Sequence, residues 1–174
     1  MNVRALDKSD LPQVAEYLSH PELAGLTGLT GDRGLTLSVD EITDGIEKWR
    51  TAEHGLIQVI EDDGAIAGHV RSGWWWDAFT PWIEIVVRPE RRNRGLGASA
   101  AGWMLQHLFM NTPAHVVHAS TPDWNDNGIR FAERLGFERA GAIRRVGIRD
   151  GRYVDSIEFE LLRTRWEELD AVEG

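Results

Sequence analysis

Apolar and polar residues alternate along several short segments of this chain, and a period of two is typical of strands that bury one face. Residues 56–61 and 65–72 alternate on either side of an Asp-Asp-Gly sequence at 62–64, which favours a tight turn between antiparallel strands. Residues 153–162 alternate in the same way after an Asp-Gly pair at 150–151. Further strands are predicted at residues 3–6, 83–87, 115–120 and 137–145.

Helices are predicted between these strands. Ser9, followed closely by Pro12, is expected to cap a first helix that ends near Leu18. A capping-box pattern at residues 38–41 opens a second helix. The stretch between them at residues 20–34 is rich in glycine and threonine and is predicted to be a mobile loop near the substrate. Further helices are expected at about residues 96–110 and between a cap at Asn125 or Asp126 and a closing glycine at Gly136.

Length and composition favour one domain that works on small molecules. The 174 residues suit a single domain spanning residues 1–174. Asp and Glu outnumber Lys and Arg by 28 to 19, a formal net charge of −9, so nucleic acid is not expected as a partner and a cationic acceptor is mildly favoured. The chain has a charged start, no cysteine and no apolar run near the length of a membrane span, so we expect a cytoplasmic protein without membrane contact.

The segment IEIVVRPERRNRGLGA, residues 83–98, places arginines and glycines between a strand and a helix. Pro89 ends the strand because it cannot donate a ladder hydrogen bond. Arg92, Gly95 and Gly97 form the pattern R-x-x-G-x-G, and a turn of this kind presents backbone N–H groups at a helix start to a phosphate-bearing ligand. A dinucleotide fingerprint fits poorly because no acidic residue follows at the expected distance, and the chain has no Gly-Lys pair for a P-loop. A purely structural helix cap is the remaining alternative.

Two motifs of the chain resemble signatures of the GNAT N-acetyltransferases. The R-x-x-G-x-G turn resembles the loop that binds the pyrophosphate of acetyl-CoA in that superfamily. The segment RDGRYVDSIEFELLRTRW, residues 149–166, resembles the branch that holds the ribosomal-protein N-terminal acetyltransferases and the spermidine acetyltransferase. A second signature, usually N-x-x-A-I-x-x-Y-x-x-x-G-F, is matched by Asn125, Ile129, Phe131, Leu135, Gly136 and Phe137.

The resemblance implies an α/β fold of the α+β type, the GNAT fold. Its central sheet would be mixed but mostly antiparallel, with seven strands flanked by about four helices. The sheet would be splayed between its fourth and fifth strands, where acetyl-CoA enters. In this chain these two strands would be residues 83–87 and 115–120.

The resemblance also implies an enzyme that transfers an acetyl group from acetyl-CoA to a primary amine by direct attack in a ternary complex. Backbone groups near the end of the fourth strand would pair with the pantetheine arm, and one N–H there would stabilise the oxyanion. Amides of the turn would hold the pyrophosphate, and an asparagine would hydrogen-bond the pantetheine. The implied acetyl-CoA-binding residues are Val86, Val87, Arg88, Arg92, Asn93, Arg94, Gly95, Leu96, Gly97, Ala98 and Asn125.

Two residues are candidates for the general base. Glu84 shares a strand face with Trp82 and Val86, where GNAT enzymes commonly place a carboxylate that acts through water. The structural alternative is a glutamate satisfied by a neighbouring arginine. His118, near the end of the fifth strand, is the second candidate, and its alternative is a half-buried strand histidine.

The general acid departs from the superfamily pattern. The tyrosine that often protonates the departing thiolate falls here at Ala132, which has no proton to give. A CoA-binding regulatory or scaffolding module with little turnover is therefore an alternative to an enzyme. If the chain is an enzyme, the proton would come from water or from Ser120, Thr121 or Tyr153.

Tryptophans cluster just before the fourth strand. Consecutive tryptophans cannot all face one core, so some are expected to be exposed or to cover a ligand. They would wall a pocket for an aromatic or cationic amine, or alternatively form a dimer interface or pack in the core. The candidate acceptor-binding residues are Trp74, Trp75, Trp76, Asp77 and Trp82.

The expected partners are a small-molecule amine or a peptide N-terminus, and a homodimer is left open. No metal is expected, because His115 and His118 would point to opposite faces of a strand and the other histidines have no close partner at ligand spacing.

Overall fold

The computed structural model describes residues 1–23, 26, 38–53, 55–74 and 77–173. Most of the loop predicted at residues 20–34 lies outside these residues. The described chain contains seven strands and five α-helices in the order β1 (Asn2–Ala5), α1 (Leu11–Leu18), α2 (Val39–Arg50), β2 (Gly55–Asp62), β3 (Ala65–Gly73), β4 (Trp82–Val87), α3 (Leu96–Asn111), β5 (Val116–Pro122), α4 (Asp126–Arg134), β6 (Glu138–Arg149), β7 (Arg152–Leu162) and α5 (Arg163–Glu173).

The strands pair in the order β1-β2-β3-β4-β5-β7-β6. β1 with β2, β2 with β3, β5 with β7, and β6 with β7 are antiparallel pairs. β4 and β5 are parallel, with Trp82 opposite His118. The predicted mixed, mostly antiparallel sheet of seven strands is therefore confirmed.

The chain falls into two compact units. The first contains Met1–Gly73 and Glu84–Met104, and the second contains Trp74–Ile83 and Leu105–Gly174. In the first unit, apolar side chains of α1 and α2 and of β2 form the core, with Val14, Ile42, Ile46 and Val59 fully or almost fully buried. The expectation of a single domain stays a prediction.

Apolar side chains are also buried within the second unit. Phe109, Val117 and Phe159 are almost completely buried there. Arg163 donates hydrogen bonds to the carbonyl oxygens of Phe109 and Ala114, so its guanidinium satisfies acceptors at and just after the end of α3.

Local signals in the sequence place most element ends correctly. The capping box of Ser38 and Glu41 is present at the start of α2, and both predicted hairpin turns have residues with positive φ. The predicted cap at Ser9 is wrong. Asp7 is the capping residue instead, because its carboxylate accepts from the N–H of Ser9 and opens a short 3₁₀ helix, Lys8–Asp10, that leads into α1.

Helix α5 was not among the predicted elements, because it follows β7 without a turn residue between them. Trp166 of α5 packs against Phe109 with 5.3 Å between ring centroids. Among the described residues, the helices include none with the length and apolar character needed to cross a membrane.

Candidate active site

The turn between β4 and α3 has the backbone shape that its glycine-rich sequence predicts. A short 3₁₀ helix, Pro89–Arg91, follows β4, and the chain then passes through Asn93 at φ 61° and Gly95 at φ 77° before α3 begins. A side chain at Gly95 would be strained at that φ, although no atom stands in its way. The glycine is therefore needed for the backbone conformation.

The backbone N–H groups at the end of this turn have no acceptor among the described residues. In the described part of the chain, no hydrogen bond engages the amides of residues 93–98, whereas the next amide, that of Ser99, donates to the carbonyl of Gly95. The first amides of a helix carry a partial positive charge and bind anions readily. The turn has the donors that a diphosphate requires.

Carboxylates surround the arginines of the turn. Arg92 lies 3.1 Å from Glu22 and also approaches the carbonyl oxygen of Val87, and Arg94 lies 2.9 Å from Asp62. These ion pairs are at the surface and offset part of the positive charge. The backbone amides are consequently a more certain source of anion affinity than the guanidinium groups.

Strands β3 and β4 approach each other closely beside this turn. A Cβ atom at Gly68 would overlap the carbonyl oxygen of Val86 and lie 3.0 Å from the Cα atom of Val87. The N–H of Arg88 donates to the carbonyl of Ala67 at 2.9 Å. Because N–H directions alternate along a strand, the amide of Val87 is expected to point away from β3, while that of Arg88 is already used.

Glu84 is held by an arginine of the neighbouring strand. Its Oε1 accepts from Nε of Arg71 at 2.6 Å and its Oε2 from an Nη atom of Arg71 at 3.0 Å. Arg71 is 4% exposed and its guanidinium lies 4.7 Å from the ring centroid of Trp49. Burial raises the pKa of the Glu84 carboxyl, but the nearby imidazole of His69, the hydrogen bonds from Arg71 and the charge of Arg71 outweigh this and hold that pKa far below its usual value.

His69 lies on the other side of Glu84 and is completely buried. Its Nε2 is 3.5 Å from Oε1 of Glu84, which is too long for a normal hydrogen bond, and Nε2 has no other partner among the described residues. Its Nδ1 lies 2.5 Å from the hydroxyl of Tyr17 on α1. Burial lowers the pKa of His69, although the carboxylate of Glu84 acts in the opposite direction, and burial raises the pKa of Tyr17.

A small concavity of about 220 Å³ opens beside Tyr17. Arg88 lines it together with Glu16 and Glu90, and the guanidinium of Arg88 lies 3.3 Å from a carboxylate oxygen of each. The same guanidinium is 5.4 Å from the ring centroid of Tyr17. The side chain of Arg88 is thus committed to contacts within the first unit.

His118 and Ser120 both lie on β5 in the second unit. His118 is half-buried, and its backbone N–H donates to the carbonyl of Pro81 at 2.8 Å. Ser120 is exposed and stands opposite Glu158 of β7. Nothing in these contacts assigns either side chain to catalysis, and their roles stay predictions.

Asn125 caps α4 with its side chain. Its Oδ1 accepts from the N–H of Gly128 at 3.2 Å, and its Nδ2 donates to the hydroxyl of Thr121 at 2.8 Å. The sequence allowed either Asn125 or Asp126 as the cap, and α4 begins at Asp126. The expected hydrogen bond between Asn125 and the pantetheine arm stays a prediction. Ala132, at the usual tyrosine position, is 8% exposed.

The tryptophan segment is only partly described. Trp75 and Trp76 lie outside the described residues, while Trp74 and Trp82 are half-buried. Asp77 accepts with one carboxylate oxygen from the backbone N–H groups of Phe79 and Thr80, so it stabilises a local turn. The proposed acceptor wall therefore stays a prediction.

The sequence did not identify Arg71 or Tyr17 as site residues, and His69 was considered only as a possible metal ligand and rejected in that role. One signal was available, because His69 and Arg71 are ionisable residues two apart within a largely apolar strand and so face the same side. A partner for Tyr17 could not be found this way, since helix α1 is distant in sequence. The described residues contain no group of three or more side chains arranged to hold a metal.

More than half of the chain matches a known protein family. Residues 29–137 match the Acetyltransferase (GNAT) family. The chain belongs to the GNAT acetyltransferase family. Its predicted family is therefore confirmed, and it is an acetyl-transferring enzyme of a family that uses acetyl-CoA.

Individual relatives agree with this assignment. The L-methionine sulfoximine/L-methionine sulfone acetyltransferase of Salmonella typhimurium is 28% identical over 168 residues, which cover 92% of this chain and 94% of the relative. A chimeric spermidine N-acetyltransferase from Vibrio cholerae has a similar fold, with a TM-score of 0.79, 19% identity and coverage of 97% of this chain and 99% of that one.

A second solved structure has a similar fold and was determined with acetyl-CoA bound. A protein from Salmonella typhimurium assigned as an acetyltransferase, solved with its cofactor acetyl-CoA, has a TM-score of 0.77 at 23% identity and covers 94% of each chain. At these identities the two structures establish a shared fold.

Proposed function

We propose that this enzyme transfers the acetyl group of acetyl-CoA to the α-amino group of a small amino-acid-like compound, by direct attack in a ternary complex. The observation that carries the donor half of the proposal is the set of amides at residues 93–98 that make no hydrogen bond to any described residue. They would bind the diphosphate of acetyl-CoA at the start of α3.

The end of β4 would hold the reacting part of the donor. The amide of Val87 is expected to face away from β3, so it is the donor best placed to hydrogen-bond the pantetheine arm or the thioester oxygen. A fixed N–H at this oxygen stabilises the negative charge that develops there during attack. The amide of Arg88 would not hydrogen-bond acetyl-CoA, because it donates to the carbonyl of Ala67.

The state of Glu84 favours acceptors with a weakly basic amine. Because Arg71 keeps Glu84 ionised, the carboxylate is a poor proton acceptor. It acts instead by attracting and orienting the acceptor amine, or a water molecule bound to that amine. An α-amino group with a pKa near 7.7 to 8.0 loses its proton at pH 7 for about 1 to 1.4 kcal/mol, whereas a lysine-like amine near 10.4 costs roughly 4.6 kcal/mol. The α-amino group needs little help from a base.

Similarity to a methionine sulfoximine acetyltransferase supports the same class of acceptor, since that compound is a small amino-acid derivative. A peptide N-terminus has an amine of the same kind and is the closest competitor. A polyamine, favoured mildly by net charge, is disfavoured by the weak basicity of Glu84. A homodimer and a cytoplasmic location stay predictions.

Thiol release from acetyl-CoA tests the proposal. The acceptor panel contains L-methionine sulfoximine, L-methionine sulfone, a short peptide with a free N-terminus, and spermidine. We expect release with the amino-acid derivatives and slower release with spermidine. Turnover with spermidine alone would refute the proposed acceptor while leaving the family assignment intact.

Two tryptophan substitutions on α3 test the donor site. Gly97→Trp places a bulky ring among the open amides and should abolish acetyl-CoA binding measured by calorimetry, with the fold retained by circular dichroism. Gly102→Trp is the matched control, because Gly102 is exposed on the same helix and no atom within 4 Å opposes a side chain there. Equal affinity in both variants would contradict the proposed site.

A further inference from the structure

The contact between Tyr17 and His69 has no role in the steps described so far. Both side chains are almost completely buried, and the hydroxyl of Tyr17 lies 2.5 Å from Nδ1 of His69. The opposite ring nitrogen, Nε2, is oriented toward Glu84 at 3.5 Å and has no hydrogen-bond partner among the described residues. An unsatisfied buried nitrogen is costly, so its position beside a carboxylate calls for an explanation.

The surroundings determine which nitrogen of His69 carries the proton. A neutral imidazole has one N–H and one lone pair, and the hydrogen bond at one nitrogen fixes the state of the other. If Nδ1 held the proton, the lone pair of Nε2 would face the negative oxygen of Glu84. If Tyr17 donates to Nδ1, the N–H lies at Nε2 and points to that oxygen, which is the favourable arrangement.

We propose that Tyr17 holds His69 in the Nε2–H tautomer and that this N–H positions the Glu84 carboxylate for the acceptor amine. His69 and Tyr17 would then be positioning residues of the reaction, in a chain that runs from the Tyr17 hydroxyl through the imidazole to Oε1 of Glu84. This inference rests on the proposed role of Glu84.

The groups around the imidazole are consistent with a neutral ring. Tyr17 faces it from α1, Arg71 lies two residues away on β3, and Glu84 faces it from β4; Arg88 stacks on Tyr17. Arg71 already supplies the positive charge that pairs with Glu84. A shift of about half an ångström would bring Nε2 to normal hydrogen-bond distance from Oε1.

Nitrogen NMR of the imidazole tests the tautomer directly. In protein labelled with ¹⁵N-histidine, the signals of His69, assigned with a His69→Gln variant, should show a protonated Nε2 and an unprotonated Nδ1 at neutral pH. A protonated Nδ1, in a neutral ring or an imidazolium, would overturn the inference. This measurement needs no turnover, so its result is independent of whether Glu84 assists the reaction.

Steady-state kinetics then tests the positioning role. We expect His69→Leu to lower kcat about 100-fold, and His69→Gln, which can still present a side-chain N–H, to recover about 10-fold of that loss. Tyr17→Phe should lower kcat about 10-fold. In all three variants the KM for acetyl-CoA should be unchanged.

Glutamine and leucine variants that are equally impaired, or that keep full kcat, would overturn the positioning role. Calorimetric affinity for acetyl-CoA verifies that each variant is folded. A Glu84→Gln variant separates the role of Glu84 from the tautomer of His69. Full activity in that protein would refute the proposed role of Glu84, whereas the tautomer is tested by the NMR spectrum alone.

Discussion

At the scale of single residues, His69 makes stability depend on pH. Its imidazole is completely buried, and burial lowers its pKa from the ordinary value of 6.5, against the opposing effect of Glu84. The unfolded chain therefore binds a proton here at a higher pH than the folded protein does. Stability from this group is complete above the unfolded pKa and is lost as the pH falls below it.

We expect the free energy of unfolding to fall as the pH drops from about 7 through the ordinary histidine pKa, with a slope from His69 of at most about 1.4 kcal/mol per pH unit. His69→Gln removes this titration, so its stability should vary less over the same range. Urea denaturation of both proteins at three pH values measures the difference. Parallel pH profiles would contradict the prediction.

For single residues, the sequence predicted the face of a strand on which a side chain lies, but it did not predict contacts between two strands. Alternation along β4 placed Glu84 on a face with Trp82, and the resemblance to the GNAT acetyltransferases made it the candidate for the functional carboxylate. The pairing with Arg71 depends on the register between β3 and β4, which no single-strand pattern contains. The arginine-paired glutamate that the sequence left open as a structural alternative is the state observed.

At the scale of elements, the close approach of β3 and β4 should be sensitive to one methyl group. Gly68→Ala would push its Cβ into the carbonyl of Val86, so β4 has to move. We expect a loss of about 1 to 3 kcal/mol in the free energy of unfolding and weaker acetyl-CoA binding, because the displaced backbone includes the amide of Val87.

Gly45→Ala is the control for this substitution. Gly45 lies inside α2, and no atom stands within 4 Å of the place that an alanine methyl group would take, so alanine should stabilise the helix by about 0.4 to 1 kcal/mol and leave acetyl-CoA affinity unchanged. Thermal unfolding and calorimetry of the two variants provide the comparison. A Gly68→Ala protein with native stability and affinity would show that β3 and β4 separate without cost.

The ends of helices and strands were predicted best where turn-forming or capping residues mark them. The hairpin turns at residues 62–64 and 150–151 and the capping box at the start of α2 have the expected geometry. Helix α5 and the true cap at Asp7 were missed for the same reason: each depends on contacts that a preference for one residue type does not reveal. Trp166 of α5 is apolar enough for a helix or a strand, and packing on Phe109 decides between them.

At the scale of the whole molecule, the two compact units share a helix and a strand, which favours unfolding in one step. α3 and β4 each contribute residues to both units: the division falls after Met104 in α3 and after Ile83 in β4. Independent unfolding of one unit would break a continuous helix and a continuous strand. Breaking both would forfeit the cooperativity of their backbone hydrogen bonds.

We therefore expect one cooperative transition on heating. Trp82, Trp124 and Trp166 lie in the second unit, so tryptophan fluorescence reports chiefly on that unit, while far-UV circular dichroism reports on the helices and strands of both. The two transitions should coincide. Acetyl-CoA at 100 times its Kd should stabilise the protein by about 2.7 kcal/mol and shift both signals equally. A fluorescence transition that separates from the dichroism, or only one signal that moves with ligand, would mean that the chain behaves as two domains.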